Sequence, residues 1–169
     1  SFDKKIKNVK INVVAHHWSN NRMKGFDIYE AMDELVSVDD RFTFTYIGRE
    51  LGTFKNTKII KPIHGEELGS ALSKHDVYIS GTQNDPGPNH ILESIACELP
   101  TYVLNSGGGS VEFAGIENSF KDFPDLINKI SGKIKKNSFS PGSWEDCIEK
   151  YRLAIEEITW KLFLQTDAL

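Results

Sequence analysis

Two carboxylates and a run of glycines are the residues of this sequence best suited to chemistry. Asp85 and Glu93 have seven residues between them, and Gly107, Gly108 and Gly109 follow after a short apolar segment. A carboxylate can accept hydrogen bonds from sugar hydroxyls, and glycines let backbone N–H groups approach an anion such as phosphate. These residue types therefore predict a site for a ligand that carries both hydroxyl and phosphate groups.

Cations that can oppose a phosphate lie nearer the start of the chain, in the polar segment 16–25. Lys24 offers a compact point charge and Arg22 a planar fork of donors, and both suit a diphosphate. A solvated loop ahead of a helix is the alternative interpretation of both residues. His16 and His17, at the start of the segment, are either acid–base groups near neutral pH or ordinary polar loop residues.

Alternating strands and helices must position these residues. The hydrophobic pattern predicts strands at 10–15, 42–47, 57–60, 76–80, 101–104 and 118–120, and helices at 26–38, 65–74, 123–134 and 144–164. A further short helix begins at Pro88 and places Asn89 and Glu93 on one face, one turn apart. Strands that alternate with helices form a parallel sheet with helices on both faces, so we expect an α/β, Rossmann-like fold. Ligands bind such sheets at the carboxyl ends of the strands.

The composition limits the classes of function. With 169 residues the chain can form one domain with a hydrophobic core. Its 24 acidic and 20 basic residues give a net charge of −4, which argues against a nucleic-acid partner. The two cysteines form no disulfide framework, and no cluster has metal-ligand spacing, so we expect neither a metal nor another cofactor. No signal peptide or apolar span is visible, and we expect a cytoplasmic protein.

The stretch 85–112 resembles the donor-binding core of family-4 (group 1) retaining glycosyltransferases, which have the GT-B fold. The signature of that family is two acidic residues with seven between them, then Cys/Ala-x-Leu-Pro, a strand, and Gly-Gly-x-x-Glu. In this chain Asp85 and Glu93 have the spacing, Cys97-Glu98-Leu99-Pro100 follows, and Gly108-Gly109-Ser110-Val111-Glu112 completes the pattern.

Three positions depart from that family pattern. The first acid is Asp85 where the family usually has Glu, and Gly87-Pro88-Asn89 stands where many members have Gly-Phe-Gly. The family also has Gly-Arg after the first strand and Lys-Gly a few residues later. Lys24-Gly25 matches the second element, whereas Trp18-Ser19 occupies the register of the first. Arg22 would then supply the missing cation from a shifted position.

The resemblance implies a role for each matching residue. Lys24 and Arg22 would neutralise the leaving diphosphate, Asp85 would lie beside the donor sugar, and these three form the predicted catalytic set. Glu93 would bind the ribose. The other residues that we expect to contact the donor are Asn89, Ser19, Gly107, Gly108, Gly109 and Glu112.

The same resemblance implies an organisation for the whole protein. Residues 1–169 would form a single donor-binding domain, with a linker or tail at 1–9, a long C-terminal helix at 144–164 and the N-terminal acceptor domain absent. The complete enzyme would move a sugar from a nucleotide diphosphate sugar to a hydroxyl acceptor, a sugar or lipid-linked glycan, during polysaccharide or glycoconjugate biosynthesis. The absent half would recognise the acceptor and carry any peripheral membrane association, so this domain alone is expected to be inactive.

Each candidate also has a purely structural interpretation. Asp85 precedes a proline and suits a turn, Glu93 suits an exposed helix position, and Glu112 suits the start of a helix. The glycines can form a flexible turn. The Asp in place of Glu at position 85 and the absence of Gly-Arg after the first strand favour an alternative function, a non-catalytic or degenerate nucleotide-binding domain. A dinucleotide-dependent oxidoreductase is a further alternative, but no Gly-x-Gly-x-x-Gly follows the first strand.

The long helix at 144–164 has two interpretations as well. Its apolar residues recur on one face and continue beyond it at the end of the helix; they include Trp144, Ile148, Tyr151, Ile155, Ile158, Trp160, Leu162, Phe163 and Leu164. The helix either completes the core of this domain or docks on the missing one.

Overall fold

The computed structural model describes the backbone of residues 10–166 and the side chains of residues 10–160. The strands are β1 (Ile11–His17), β2 (Phe42–Gly48), β3 (Lys58–Ile60), β4 (Val77–Ser80), β5 (Thr101–Leu104) and β6 (Ser119–Phe120). The helices are α1 (Phe26–Val38), α2 (Gly65–Leu72), α3 (Asn89–Ala96), α4 (Ser110–Ala114), α5 (Phe123–Ser131) and α6 (Trp144–Thr166). The predicted tail at 1–9 lies outside the described residues.

All six strands are parallel and form one sheet in the order β3-β2-β1-β4-β5-β6. β1 is central: it pairs with β2 along its whole length, from Ile11 opposite Phe42 to His17 opposite Gly48, and with β4 on its other side. The chain order therefore reverses between β1 and β4. A crevice opens at such a switch point, outside the carboxyl ends of the two strands.

Helices cover both faces of the sheet, as predicted. One core joins α1 and α5 to the sheet, and the other joins α2, α3 and α4 to the opposite face. Within β1, Val13 and Ala15 point into the first core and Val14 into the second. The fold is thus the predicted α/β, Rossmann-like class, in which strands buried on both faces are continuous apolar runs.

Several element bounds differ from the prediction. β1 was expected to end at residue 15, but it continues through His16 and His17, which are buried and paired with Ile47 and Gly48 of β2. The interpretation of these histidines as polar loop residues is therefore wrong. The structure also contains α4, which the hydrophobic pattern did not predict, although a helix start at Glu112 was given as an alternative.

The described side chains of α6, residues 144–160, are all exposed. Trp144 is 81% exposed, and Ile148, Tyr151, Ile155 and Ile158 are each more than half exposed. The interpretation of α6 as part of this domain's core is therefore wrong. No helix in the described part of the chain is long and apolar enough to cross a membrane.

A buried carboxylate on α1 holds the loop that leads into β3. Asp33 accepts hydrogen bonds from the backbone N–H groups of Lys55, Asn56 and Thr57, at 2.7–3.1 Å, and from the Thr57 hydroxyl. Burial raises the pKa of Asp33, but these hydrogen bonds together outweigh it and leave the pKa below its ordinary value. Asp33 is consequently an ionised structural residue of the fold.

We predict that Asp33→Ala destabilises the protein by about 2–4 kcal/mol, because several backbone donors lose their acceptor. Urea unfolding at neutral pH measures this loss. The matched control is Glu34→Ala, since Glu34 neighbours Asp33 on α1 and is exposed; its effect should stay within about 0.5 kcal/mol.

The stability difference between wild type and Asp33→Ala should also depend on pH. Because the folded-state pKa of Asp33 is depressed, its contribution is complete above the unfolded-state pKa of about 4 and is lost as pH falls through the folded-state pKa. The stability difference between wild type and Asp33→Ala should therefore shrink in acid. A difference that stays constant down to about pH 2 would contradict this account.

Candidate functional site

The segment after β1 reaches the crevice through a tight turn. Asn21 caps the short 3-10 helix Arg22–Lys24 by accepting a hydrogen bond from the N–H of Met23 at 2.9 Å. Gly25 then adopts φ +96°, and a Cβ at this position would lie only 2.3 Å from the carbonyl carbon of Gly81. Only glycine permits this contact. It places Lys24 beside the loop that leaves β4.

Lys24 forms an ion pair across the crevice with Asp85. The Lys24 Nζ lies 2.7 Å from the Asp85 Oδ2, and the Asp85 side chain is only 11% exposed. Burial raises the pKa of Asp85, but the Lys24 ammonium and the Gly87 N–H outweigh it and leave the pKa below its ordinary value. The crevice therefore holds two opposite charges in contact at neutral pH.

The glycine run supports the loop that carries Asp85. The N–H of Gly109 donates to the Asp85 carbonyl at 2.9 Å, and the N–H of Asp85 donates to the Gly107 carbonyl at 3.3 Å. At Gly108, with φ +64°, a Cβ would lie 2.7 Å from the Asp85 carbonyl oxygen. The close approach that these glycines permit is thus an approach to a neighbouring loop of the protein itself.

Glu93 lies one turn beyond Asn89 on α3. Its Oε2 is 2.8 Å from the Nε2 of His16, which is 1% exposed at the end of β1, whereas the Glu93 side chain is 42% exposed. One carboxylate oxygen is thus held by a buried group, while the side chain as a whole remains open to a ligand.

A second buried histidine, His17, contributes an uncharged surface to the crevice. Its Nε2 lies 2.6 Å from the Tyr29 hydroxyl, which also accepts a hydrogen bond from the Gly81 N–H. Burial raises the pKa of Tyr29, so its hydroxyl stays protonated and uncharged beside His17. Burial, and to a lesser extent the neighbouring His90, His16 and Lys24 side chains, lowers the pKa of His17 well below its ordinary value.

His90, in the first turn of α3, extends this uncharged surface. Its Nε2 lies 3.1 Å from the Ser80 hydroxyl, and its ring centroid lies 4.5 Å from that of His17. Burial and then His16 lower the pKa of His90 to about 3. The sequence analysis missed His90, because a polar residue at the start of a helix gives no sign that it will be buried.

A pocket of about 190 Å³ brings together four of the predicted residues, Ser19, Lys24, Asp85 and Asn89. Its lining residues are His17, Trp18, Ser19, Lys24, Asp85, Gly87, Asn89 and His90. Trp18 also stacks on His64 with a centroid distance of 3.9 Å. A larger groove of about 540 Å³ lies at the opposite end of the sheet, beside Lys10, Asn12 and Thr43. None of the predicted residues lines that groove.

Six of the ten predicted residues do not line that pocket. They are Glu93, which pairs with His16, the three glycines of the run 107–109, Arg22 and Glu112. The Arg22 side chain is 60% exposed, and its guanidinium pairs with Asp27 at 3.1 Å and Glu30 at 3.4 Å, both on α1. Glu112 is exposed in the first turn of α4, the structural position that the sequence analysis gave as its alternative. Neither residue lines the pocket. Among the described side chains, no group of three or more His, Cys, Asp or Glu residues is arranged to hold a metal ion.

Neither a protein-family model nor a curated protein matches this chain. Several solved structures are similar to this chain. The catalytic domain of cholesterol-α-glucosyltransferase from Helicobacter pylori superposes with a TM-score of 0.57 at 17% identity, over 70% of this chain and 83% of that domain.

Two further similar structures are larger proteins. WaaG, a glycosyltransferase involved in lipopolysaccharide biosynthesis, has a TM-score of 0.56 at 15% identity over 73% of this chain. The pneumococcal O-GlcNAc transferase GtfA, in complex with UDP and GlcNAc, has a TM-score of 0.55 at 14% identity over 75% of it. The matched region spans 37% of the WaaG chain and 28% of the GtfA chain. Identities this low establish the fold alone, and the chain therefore has the Rossmann-like fold of a GT-B glycosyltransferase domain.

Proposed function

We propose that this chain is the nucleotide-sugar-binding domain of a family-4 retaining glycosyltransferase. The observation that carries the proposal is the convergence of Lys24, Asp85 and Asn89 in one pocket at the switch point between β1 and β4. Glu93 follows Asn89 by one helical turn, so a ligand can meet a cation and two carboxylates. The similarity of the fold to glycosyltransferase structures supports the same proposal.

Each of these groups has a proposed part in donor binding. Lys24 contacts the diphosphate, and Glu93 accepts hydrogen bonds from the ribose hydroxyls. Asp85, fixed by the glycine run, positions the donor sugar. GtfA was solved with UDP and GlcNAc, and a nucleoside diphosphate is the ligand that we expect in this chain.

The proposed reaction transfers a sugar to a hydroxyl acceptor with retention of configuration. The bond between the anomeric carbon and the diphosphate oxygen breaks, the acceptor oxygen bonds to the anomeric carbon, and the proton of the acceptor hydroxyl passes to the leaving diphosphate. Negative charge grows on the leaving diphosphate, where Lys24 stabilises it electrostatically. The proposal includes neither a metal ion nor another cofactor.

The acceptor site is proposed to lie on an N-terminal domain outside this chain. The exposed apolar side chains of α6 support this, because Trp144, Ile148 and Tyr151 present a hydrophobic surface suited to another domain. The acceptor would be a sugar or a lipid-linked glycan, and any peripheral membrane contact would belong to that domain. A cytoplasmic location is part of the same proposal.

A degenerate nucleotide-binding domain is the second candidate, and the ion pairs favour it. Lys24 is already neutralised by Asp85, and Arg22 is held by acids on α1. A diphosphate must therefore displace Asp85 from Lys24 to bind. The second candidate predicts that this exchange does not lead to transfer.

Calorimetric titration with UDP, GDP, ADP and NAD tests the proposal. We predict that one nucleoside diphosphate binds and that Glu93→Gln weakens its binding about tenfold, because a charged acceptor for the ribose hydroxyls is lost. The matched control is Glu98→Gln, which removes the same charge from an exposed position just beyond α3 and should leave affinity unchanged. Binding of NAD alone, or equal affinity in both variants, would overturn the assignment.

Substitutions in the ion pair should have opposite effects. We predict that Lys24→Met weakens binding of the nucleoside diphosphate about tenfold or more, since the cation is lost. Asp85→Asn should strengthen it several-fold, because Lys24 is released and a negative charge leaves the pocket. Titrations at low and at high salt measure both effects, which salt should reduce. Equal weakening by both substitutions would show that the pair is only structural.

Transfer requires the acceptor half in this proposal. We predict that the 169-residue chain hydrolyses or transfers the donor sugar at a barely detectable rate, although it binds the diphosphate. An assay of sugar release from UDP-, GDP- and ADP-sugars checks this, with a longer protein that contains this chain as the positive control. Rapid transfer by the 169 residues alone would refute the two-domain arrangement.

A further inference from the structure

We propose that His16 is a positioning residue for Glu93. In this proposal the neutral imidazole, with its proton on Nε2, donates to one carboxylate oxygen and thereby directs the rest of the carboxylate toward the ribose hydroxyls of a nucleoside diphosphate. The inference rests on the proposed function and assigns a role to a residue outside the predicted site.

The contact joins a fixed group to an adjustable one. The Nε2 of His16 lies 2.8 Å from the Oε2 of Glu93, and the exposed fractions of the two side chains are 1% and 42%. The His16 backbone is paired with Ile47 of β2, and its carbonyl accepts a hydrogen bond from the Tyr78 hydroxyl at 3.2 Å. The backbone and side chain of His16 are therefore fixed by the sheet, whereas the partly exposed side chain of Glu93 can change its orientation to meet His16.

Aromatic rings hold the imidazole itself in one orientation. The ring of His16 meets Tyr78, His90 and Trp18 edge-to-face, at centroid distances of 5.5, 6.3 and 6.5 Å. Such contacts restrict rotation about the side-chain bonds, because the surrounding core is close-packed. The direction of the Nε2–H bond is thus set before any ligand binds.

The other ring nitrogen identifies the tautomer. The Nδ1 of His16 is buried and has no hydrogen-bond partner. A proton there would be a buried N–H without an acceptor, which is costly, whereas an unpaired nitrogen lone pair costs less. The single proton of the neutral ring therefore lies on Nε2 and points at Glu93. A carboxylate with one donor bound retains further acceptor positions.

An exposed glutamate on a helix normally samples several rotamers, and a ligand that needs one of them must restrict the others. His16 supplies that restriction in advance. The benefit appears only for ligands that contact the carboxylate, namely those with ribose hydroxyls. A positioning role therefore changes the affinity for ligands that carry ribose hydroxyls, whereas a structural role changes the stability of the fold.

The test compares His16→Leu, which removes the N–H donor, with His16→Gln, which keeps an amide N–H at a similar distance from the backbone. The probes are whichever of UDP, GDP and ADP binds most tightly and its 2′,3′-dideoxy analogue. Calorimetry gives the affinity ratio of the two probes for wild type and each variant, and Glu93→Gln provides the reference value without a charged acceptor.

We expect wild type to prefer the ribonucleotide by about tenfold. His16→Leu should reduce that preference to about the value found for Glu93→Gln, and His16→Gln should restore most of it. A preference that is unchanged in His16→Leu would overturn the proposal, as would equal weakening of both probes, which indicates a structural role. If His16→Leu does not fold, loss of the preference in His16→Gln overturns it equally.

The outcome is separable from failure of the proposed function. If no nucleoside diphosphate binds wild type, the donor-binding proposal itself fails and the role of His16 fails with it. If the diphosphate binds and Glu93→Gln weakens it while the preference survives His16→Leu, the donor-binding proposal stands and only the role of His16 is lost.

Discussion

The contact between Gly25 and Gly81 is the constraint on which the arrangement of the site depends. β1 and β4 are neighbours in the sheet, and the loops that leave them can meet only if no side chain separates the two backbones. A partly exposed ion pair contributes little stability by itself. Lys24 and Asp85 are therefore brought together mainly by backbone packing, at Gly25 on one side and at Gly108 on the other. The charges occupy positions that the sheet and its glycines determine.

Buried imidazoles complete this arrangement without adding charge. His17 and His90 are surrounded by groups that accept or donate single hydrogen bonds, Tyr29 and Ser80 among them. Burial keeps both rings neutral, since an unpaired buried charge costs far more than a hydrogen-bonded neutral group. As a result Lys24 is the one cation among the described residues that line the pocket.

The fold could be predicted from the sequence because it depends on hydrophobic patterns within short segments of the chain. Apolar runs alternate with helical periodicity, and this pattern alone predicts a parallel sheet covered on both faces. The surroundings of the histidines could not be predicted from the sequence. The hydrogen-bond partner of His16, Glu93, is 77 residues away, and that of His17, Tyr29, is 12 residues away. Polar residues after an apolar run look like a loop until the neighbouring strand and helix are known. The glycine run was predicted to bring the backbone close to a ligand, and only the fold shows that its backbone contacts the loop that carries Asp85.

The contacts of Arg22, a charged side chain, could not be predicted from the sequence either. Loop position and charge made it equivalent to Lys24, yet Asp27 and Glu30 on the first two turns of α1 bind it instead. Lys24 is left with Asp85, and in the proposed function this pair is exchanged when the donor binds. In that proposal, a diphosphate that binds Lys24 releases the Asp85 carboxylate beside the donor sugar. In the same proposal the pair prevents an uncompensated charge in the empty pocket and supplies a free acceptor in the filled one, so the donor-binding and degenerate alternatives differ in whether the exchange leads to transfer.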